Sequence, residues 1–379
     1  MKKIVIIGAS ELQNPLIIKA KDMGLETHVF AWQDGSIGER TADYFYPISI
    51  TEKDKILEKC YEIKPDAIAT IASDLANITV NYLAHKLGHT TNSERSIIVS
   101  TNKYEMRKAF KKAGIPAPLF FKAGADDNLD HIHTMNLPII VKPTDRSGSR
   151  SVTKLESFDG LEEAVSRSIN DSFENKAIIE EFIDGDEYSC ECVSFEGVHH
   201  MLAVTKKYTT GAPHFIETGH LEPSDLDDQT IERVKTLIFK ALDALDIRYG
   251  ASHSEFKVDR NGNINIIEIG SRMGGGCIGS DLVRLSTGYD FVKMVIQIAF
   301  GQPPCFEKVC APKTAFVKFV LSKEDYDFFE QIRKSHPDIL YRHSEIKVTD
   351  SKVIDDSSRY GFYIVADSSR EKLLRVMEL

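Results

Sequence analysis

Several features that would mark other classes of protein are missing from this chain of 379 residues. Its six cysteines form neither a CxxC pair nor a regular framework, which favours a reducing cytosol over a disulfide-rich secreted fold. No apolar run approaches the roughly 20 residues that a helix needs to span a bilayer, and the short one after Lys3 turns polar too soon for a signal peptide. The net charge of −10 argues against general binding to nucleic acid. We therefore expect a soluble cytoplasmic protein without a nucleic-acid or membrane partner.

Two common nucleotide-binding signatures are also absent. The first strand pattern runs into GASELQNP (8–15), which keeps one glycine of GxGxxG, and no acidic residue ends the second strand. We therefore reject a nicotinamide dinucleotide site. The P-loop pattern GxxxxGK[ST] does not occur either.

The patterns that are present divide the chain into three parts. Strands and helices alternate at βαβ spacing over the first part, which predicts a parallel sheet with helices on its faces. Strand patterns then dominate, with hairpin turns at Glu196-Gly197 and Asn261-Gly262 and a long helix over 227–246. Residues 313–379 indicate a small α+β cap. We expect a fold of mixed α/β and α+β class.

The second hairpin carries a pair of acids. Folding about its turn brings Glu255 and Glu268 onto neighbouring strands, where facing side chains lie ~5 Å apart. Two acids at that distance repel unless a proton or a cation bridges them, and Mg²⁺ commonly takes one or two carboxylates plus phosphate oxygens. The alternative is that one or both acids face solvent beside a lysine. His253 should share the face of Glu255, either as a partner of the metal carboxylates or as a satisfied core histidine.

Four other segments contain residues suited to binding or catalysis. The strand of Glu268 ends in GSRMGGG (270–276), an arginine and bare backbone that packing alone would not require. IIVKPTDRSGSRSV (139–152) ends a strand with small residues whose N–H groups can approach a phosphate, or it is an ordinary polar connection. AIIEEFIDGDEYSCE (177–191) is suited to a nucleoside, or it is an exposed acidic turn. FIETGHLEPSDL (215–226) is a substrate pocket or a surface loop.

These segments in this order resemble the ATP-grasp superfamily, and within it the carbamoyl-phosphate-synthase-like and L-amino-acid ligase branch. The resemblance implies an ATP-grasp fold: a Rossmann-like pre-ATP-grasp domain at 1–100, a two-lobed ATP-binding region at 101–303 with its lid lobe at about 115–187, and a C-terminal α+β cap at 304–379. It further implies a carboxylate–amine ligase that uses ATP and Mg²⁺, with Mn²⁺ as a substitute ion. An acid would attack the γ-phosphate to give an acyl phosphate, and an amine would then displace phosphate.

The resemblance also implies roles for individual residues. Phosphate contacts fall to Lys103 and Lys142, and the phosphate lid to Ser147, Gly148 and Ser149. The nucleoside falls to Glu180, Glu181, Phe182, Ile183 and Glu187, and the metal to Glu255 and Glu268. Arg272 would stabilise the acyl phosphate and the tetrahedral adduct together with the backbone of Gly274, Gly275 and Gly276. Glu217 and His220, with Arg272, would bind the substrate.

The sequence departs from the family pattern at two positions. Gly270 stands where many members have asparagine, which leaves open whether one or two metal ions bind. Ser151 stands where the lid often has glycine. Two other functions remain open at this point: activation of bicarbonate or formate, and a nucleotide-binding subunit without turnover. The expected partners are a small acid and an amine, and a homodimer is the default assembly.

Overall fold

The computed structural model describes residues 1–148, 150–212 and 215–379. Its first sheet is parallel, with strand order β3-β2-β1-β4, and is built from short, nearly continuous apolar runs such as KIVII, as expected for strands that helices cover on both faces. The elements of this part are β1 (Lys3–Ile7), α1 (Asn14–Asp22), β2 (Glu26–Phe30), α2 (Ile37–Thr41), β3 (Tyr44–Tyr46), α3 (Lys53–Ile63), β4 (Ala67–Ala69), α4 (Asp74–Leu87) and α5 (Glu94–Thr101).

A second, four-stranded antiparallel sheet follows, with order β5-β8-β6-β7; we call it the small sheet. Helix α7 packs on it and buries Leu161, Val165 and Ile169 against its apolar face. The elements are α6 (Lys103–Lys112), β5 (Phe120–Ala123), β6 (Ile139–Pro143), β7 (Thr153–Leu155), α7 (Leu161–Asp171) and β8 (Ala177–Glu181).

The remaining strands form one eight-stranded sheet, the large sheet, with order β13-β12-β9-β10-β11-β14-β16-β15. Both predicted hairpins occur in it, β9 with β10 and β12 with β13. The elements are β9 (Asp186–Phe195), β10 (Val198–Thr209), β11 (Glu217–Glu222), α8 (Asp228–Ala244), β12 (Gly250–Val258), β13 (Ile264–Gly270), a π-helical turn (Ile278–Leu282), α9 (Val283–Thr287), α10 (Phe291–Ala299), β14 (Thr314–Val320), α11 (Lys323–Ser335), β15 (Leu340–His343), β16 (Gly361–Asp367) and α12 (Arg370–Met377).

Two features of this fold differ from what the sequence patterns suggest. Residues 217–222 are the inner strand β11 rather than a surface loop, and they are largely buried. Strands β14, β16 and β15 continue the large sheet, so the C-terminal segment shares its backbone hydrogen bonds. The mixed α/β class is as expected. None of the helices in the described part of the chain combines the length and apolar character needed to cross a bilayer.

Candidate active site

A cleft of about 1070 Å³ lies between the small sheet and the large sheet. It collects most of the predicted site residues, from positions far apart in the chain. They are Lys103, Lys142, Ser147, Gly148, Glu180, Glu181, Phe182, Ile183, Glu187, Glu217, Glu255, Glu268 and Arg272. Four predicted residues that the structure describes, His220, Gly274, Gly275 and Gly276, do not line the cleft, and Ser149 lies outside the described residues.

The two predicted metal acids face each other across β12 and β13. Glu255 and Glu268 are partners in the strand register. Their side chains are 22% and 20% exposed, so neither acid simply projects into solvent, although each does lie beside a lysine. Lys207 Nζ is 2.6 Å from Glu255 Oε1, and Lys103 Nζ is 2.9 Å from Glu268 Oε2. The hairpin therefore forms a pair of neighbouring carboxylates within the cleft.

This pair suits Mg²⁺ in its chemistry. The residues described by the structure contain no cluster of three or more His, Cys, Asp or Glu side chains arranged to hold an ion. Glu255 and Glu268 would thus supply two carboxylates, and phosphate oxygens and water would complete the coordination, as Mg²⁺ sites in nucleotide enzymes commonly have it. The two carboxylates therefore fit a Mg²⁺ ion that is bound together with a nucleotide.

Lys207 is the centre of the charge network. Its Nζ lies 2.8 Å from Glu217 Oε1 and 3.4 Å from Glu187 Oε1, in addition to its contact with Glu255. Burial opposes its charge, but the three carboxylates outweigh burial and raise the pKa of Lys207 well above its ordinary value. Lys207 is therefore not a solvated lysine but joins the predicted ribose, metal and substrate acids.

His253 connects the predicted metal pair to residues 274–276, which we call the glycine segment. It donates from Nδ1 to the buried Glu191 carboxylate and from Nε2 to Glu255 Oε1 over 3.2 Å. Burial disfavours its charge, yet Glu191 and Glu255 raise the pKa of His253 to about 9. The other oxygen of Glu191 accepts the N–H of Gly274 at 2.9 Å. Of the two alternatives for His253, the structure favours the partner of the metal carboxylates, and the Gly274 N–H is already committed to Glu191.

Glu180 lies at the base of the cleft between two cations. Arg107 Nε donates to one of its oxygens, and Lys142 Nζ lies 2.7 Å from the other. Burial opposes its ionisation, but Arg107 and Lys142 lower the pKa of Glu180 to about 2. The next residue, Glu181, alternates to the other face of β8, where its carboxylate accepts from Asn136. The Glu181 side chain therefore lies on the face opposite to that of Glu180, so a nucleotide in the cleft would contact Glu181 through its backbone.

The predicted nucleoside end has an aromatic wall. Lys154 Nζ lies 4.2 Å and Lys257 Nζ 4.9 Å from the ring centroid of Phe182. Burial raises the pKa of Glu187 despite its contact with Lys207. Phe182 and Ile183, whose backbone is predicted to hold adenine, and Glu187, predicted to hold the ribose, all line this end of the cleft.

The predicted substrate acid Glu217 is joined by two residues from the C-terminal segment. Arg359 donates to Glu217 Oε2 at 3.1 Å and also to Asp356, and its guanidinium carbon lies 3.8 Å from the Phe319 ring centroid. Burial and Glu217 raise the pKa of Asp356 to about 6. His220 is fully buried with its Nε2 3.3 Å from Glu217, and burial lowers the pKa of His220.

Close packing around His220 explains part of the glycine segment. A Cβ on Gly276 would lie 2.9 Å from His220 Nε2 and 3.3 Å from the Phe319 ring, and its φ is +55°. A Cβ on Gly275 would meet only ordinary contacts, with Ala72 at 3.7 Å. Gly276 is thus required by space and conformation.

Arg272 is held by the first residue of α4. Its Nε and Nη2 donate to the two oxygens of Asp74 at 2.9 and 3.0 Å. Burial opposes the charges, but Arg272 lowers the pKa of Asp74, and Asp74 raises the pKa of Arg272. The arginine that was predicted to stabilise developing charge is therefore fixed in position by an acid 198 residues away.

Sequence reasoning missed several residues of this site. Arg107 could have been found, since it lies one helical turn after Lys103 on the same face of α6. Asp74 follows the carboxyl end of β4, where parallel strands present their functional loops. No local sequence pattern indicated Asp356 or Arg359.

Comparisons with known proteins show similarity to one family model and to several ligases. Residues 135–281 match the family model described as an ATP-grasp domain. The chain is 26% identical over 226 residues, 53% of its length and 47% of the relative's, to alanine–anticapsin ligase of Bacillus subtilis strain 168. It is 29% identical over 181 residues, 46% of its length and 58% of the relative's, to D-alanine–D-alanine ligase B of Chromobacterium violaceum. The chain spans about half the length of the curated relatives it matches.

A solved structure extends the similarity to the whole chain. The L-amino acid ligase from Bacillus licheniformis superposes with a TM-score of 0.84 at 23% identity, covering 100% of this chain and 96% of that one. At 23% identity, the superposition is evidence for a shared fold alone.

Proposed function

Because the chain carries an ATP-grasp domain within the ATP-grasp fold, we propose that it is an ATP- and Mg²⁺-dependent carboxylate–amine ligase that acts on an amino acid or a related small acid. The observation that carries the proposal is the facing pair Glu255 and Glu268, with Lys103 and Arg272 in the same cleft. Phosphoryl transfer asks a protein mainly for positioning and for stabilisation of charge, and these four side chains offer both.

Each end of the cleft has a role in this proposal. The nucleoside would lie against Phe182 and Glu187, with its phosphates toward Lys103 and Lys142. Glu255 and Glu268 would hold Mg²⁺, whose charge would offset that of the phosphates. Arg272 would then face the acyl group, where its fixed guanidinium stabilises negative charge on the acyl phosphate and on the adduct formed by the amine.

The groups at the substrate end favour a zwitterion. Glu217 and Asp356 line this end of the cleft and offer carboxylates to an ammonium group, and Arg359, which donates to both acids, would offer a guanidinium to a carboxylate. The relatives named as alanine–anticapsin ligase and L-amino acid ligase act on amino acids by name, which supports the same substrate class. A one-carbon acid such as bicarbonate has no ammonium group for Glu217 and Asp356 to bind.

The test is release of phosphate from ATP and Mg²⁺ with the twenty amino acids, singly and in pairs, and with bicarbonate or formate. We expect one pair of amino acids to stimulate release and Glu268→Gln to abolish it. Glu232→Gln, an exposed acid on α8, is the control and should behave as wild type. Stimulation by bicarbonate or formate alone would overturn the ligase proposal in favour of one-carbon activation. Binding of ATP without turnover under every mixture would favour a subunit that only binds nucleotide.

A further inference from the structure

Gly270 leaves a space that another part of the chain fills. It ends β13 on the face of Glu268, because side chains two residues apart in a strand share a face. Its backbone is not among those with positive φ, so conformational freedom does not explain the glycine. A Cβ at Gly270 would lie 2.9 Å from Asp74 Oδ1 and 3.3 Å from the Arg272 guanidinium. The glycine therefore makes room for the Asp74–Arg272 pair beside the metal carboxylates.

Asp74 belongs to a segment that grips the end of β13 at several points. We call residues 71–77 the clasp. Ala72, with φ +59°, donates its N–H to Met273 O at 3.2 Å. Asn77 donates from Nδ2 to the carbonyl and the hydroxyl of Ser271, both at 3.0 Å. Both oxygens of Asp74 accept from Arg272. The clasp thus fixes each of the three residues that follow Gly270.

Arg272 would have other partners if Asp74 lost its charge. Glu268 and Glu255 are the next carboxylates that act on its guanidinium, and all three side chains line one cleft. Lys103 pairs with Glu268 and Lys207 pairs with Glu255. A released guanidinium could therefore add a second cation to the pair and compete with a metal ion, since opposite charges a few ångströms apart in a partly buried site attract strongly.

We propose that Asp74 is a positioning residue: it holds the Arg272 guanidinium at the end of β13 and keeps it off Glu255 and Glu268, so that these two carboxylates stay available to the metal. The inference rests on the proposed function, because it uses that metal pair. The inference predicts that Asp74, at the start of α4, controls metal affinity without being a metal ligand.

The test is binding of Mn²⁺ to the full-length protein in the presence of ADP, measured by the loss of the free-ion signal in electron paramagnetic resonance. We expect Asp74→Asn to raise the Mn²⁺ dissociation constant about tenfold. Gly270→Ala should do the same, because its methyl group displaces the pair. The double variant D74N/R272Q should return to within about threefold of wild type, since no guanidinium remains to compete. Asp228→Asn, an exposed acid in the first turn of α8, controls for loss of a helix-terminal charge and should bind like wild type.

The outcomes separate this inference from the proposed function. Unchanged Mn²⁺ binding in Asp74→Asn would overturn the inference. Weak binding that persists in D74N/R272Q would also overturn it, because Asp74 would then act as a ligand or through the fold. The titration needs neither acid nor amine, so a wild-type protein that binds Mn²⁺ but never forms ADP would overturn the ligase function alone. Should Asp74→Asn fail to fold, Gly270→Ala and the single variant Arg272→Gln, which should bind Mn²⁺ at least as well as wild type, decide the question.

Discussion

Two buried glutamates show how a partner decides the charge of a carboxyl group. Glu180 and Glu222 are 3% and 0% exposed. Glu180 lies between two cations, and its pKa falls to about 2. Among the residues that the structure describes, only the hydroxyls of Thr205 and Ser286 donate to the Glu222 carboxylate, and burial raises the pKa of Glu222 to about 7. Hydroxyl donors do not repay the desolvation of a full charge, whereas cations do.

Glu222→Gln should stabilise the protein at alkaline pH. The folded state holds a proton on Glu222 that the unfolded chain has released above a pKa of about 4.5, so stability falls as pH rises from there to about 7 and stays lower above it. Glutamine keeps partners for both hydroxyls and carries no charge. We expect a gain of about 1–3 kcal/mol at pH 8 in urea unfolding and almost none at pH 5. An equal effect at both pH values would contradict the assignment of a titrating Glu222.

Glu180→Gln should have the opposite effect. It leaves Arg107 and Lys142 buried without a carboxylate, which typically costs about 3–5 kcal/mol. The loss should be greatest at neutral pH. A depressed pKa stabilises the folded state above the unfolded value of about 4.5, and this contribution disappears as pH falls toward 2. Urea unfolding at pH 7 and pH 3.5 measures it. The matched control is Glu181→Gln on the outer face of β8, for which a loss comparable to that of Glu180→Gln would argue against the ion-pair explanation.

Secondary structure elements that depend on local pattern could be predicted, and those that depend on distant partners could not. The turn at Asn261-Gly262 fixes the register of β12 and β13, so the facing of Glu255 and Glu268 followed from the sequence and is confirmed. Strand β11 has the sequence ETGHLE, whose buried polar residues lack the alternation of a half-buried strand. Its acids Glu217 and Glu222 are paired with Lys207, Arg359 and Ser286 from elsewhere in the chain, and no local pattern encodes those contacts.

Gly219→Ala should separate β11 from β14. A Cβ at Gly219 would lie 2.5 Å from the Phe316 ring and 2.8 Å from the carbonyl oxygen of Val317. Overpacking of this kind costs about 1–3 kcal/mol and should loosen the pairing of the two strands. Hydrogen exchange of the β14 amides, followed by mass spectrometry, should become faster while that of β12 changes little. Thr218→Ala, the neighbouring position on β11, is the control, and equal exchange in both variants would contradict the steric argument.

The cleft as a whole is assembled from three distant parts of the chain. Asp74 reaches Arg272 across 198 positions, and Arg359 reaches Glu217 across 142. Contacts at such separations depend on how the sheets pack, which explains why sequence patterns identified Arg272 and Glu217 but not their partners. The C-terminal strands belong to the large sheet, so the turn that carries Asp356 and Arg359 is attached to the same framework as Glu255 and Glu268.

Arg359→Gln should therefore change the use of the acid or amine substrate without changing the use of ATP. Arg359 contacts Glu217 and Asp356 at one end of the cleft, whereas Phe182 and Glu187 lie at the proposed nucleoside end. A charge-assisted hydrogen bond is worth about 1.5–3 kcal/mol, which corresponds to an increase of about 10–150-fold in the KM of the amino acid that it binds. The KM of ATP should stay within about twofold. Steady-state assays with the substrates found by phosphate release measure both constants, and Arg333→Gln, an exposed arginine on α11, should leave both unchanged. A rise in the KM of ATP equal to that of the amino acid would mean that the C-terminal turn supports the cleft as a whole. A selective rise would mean that this turn chooses the substrate.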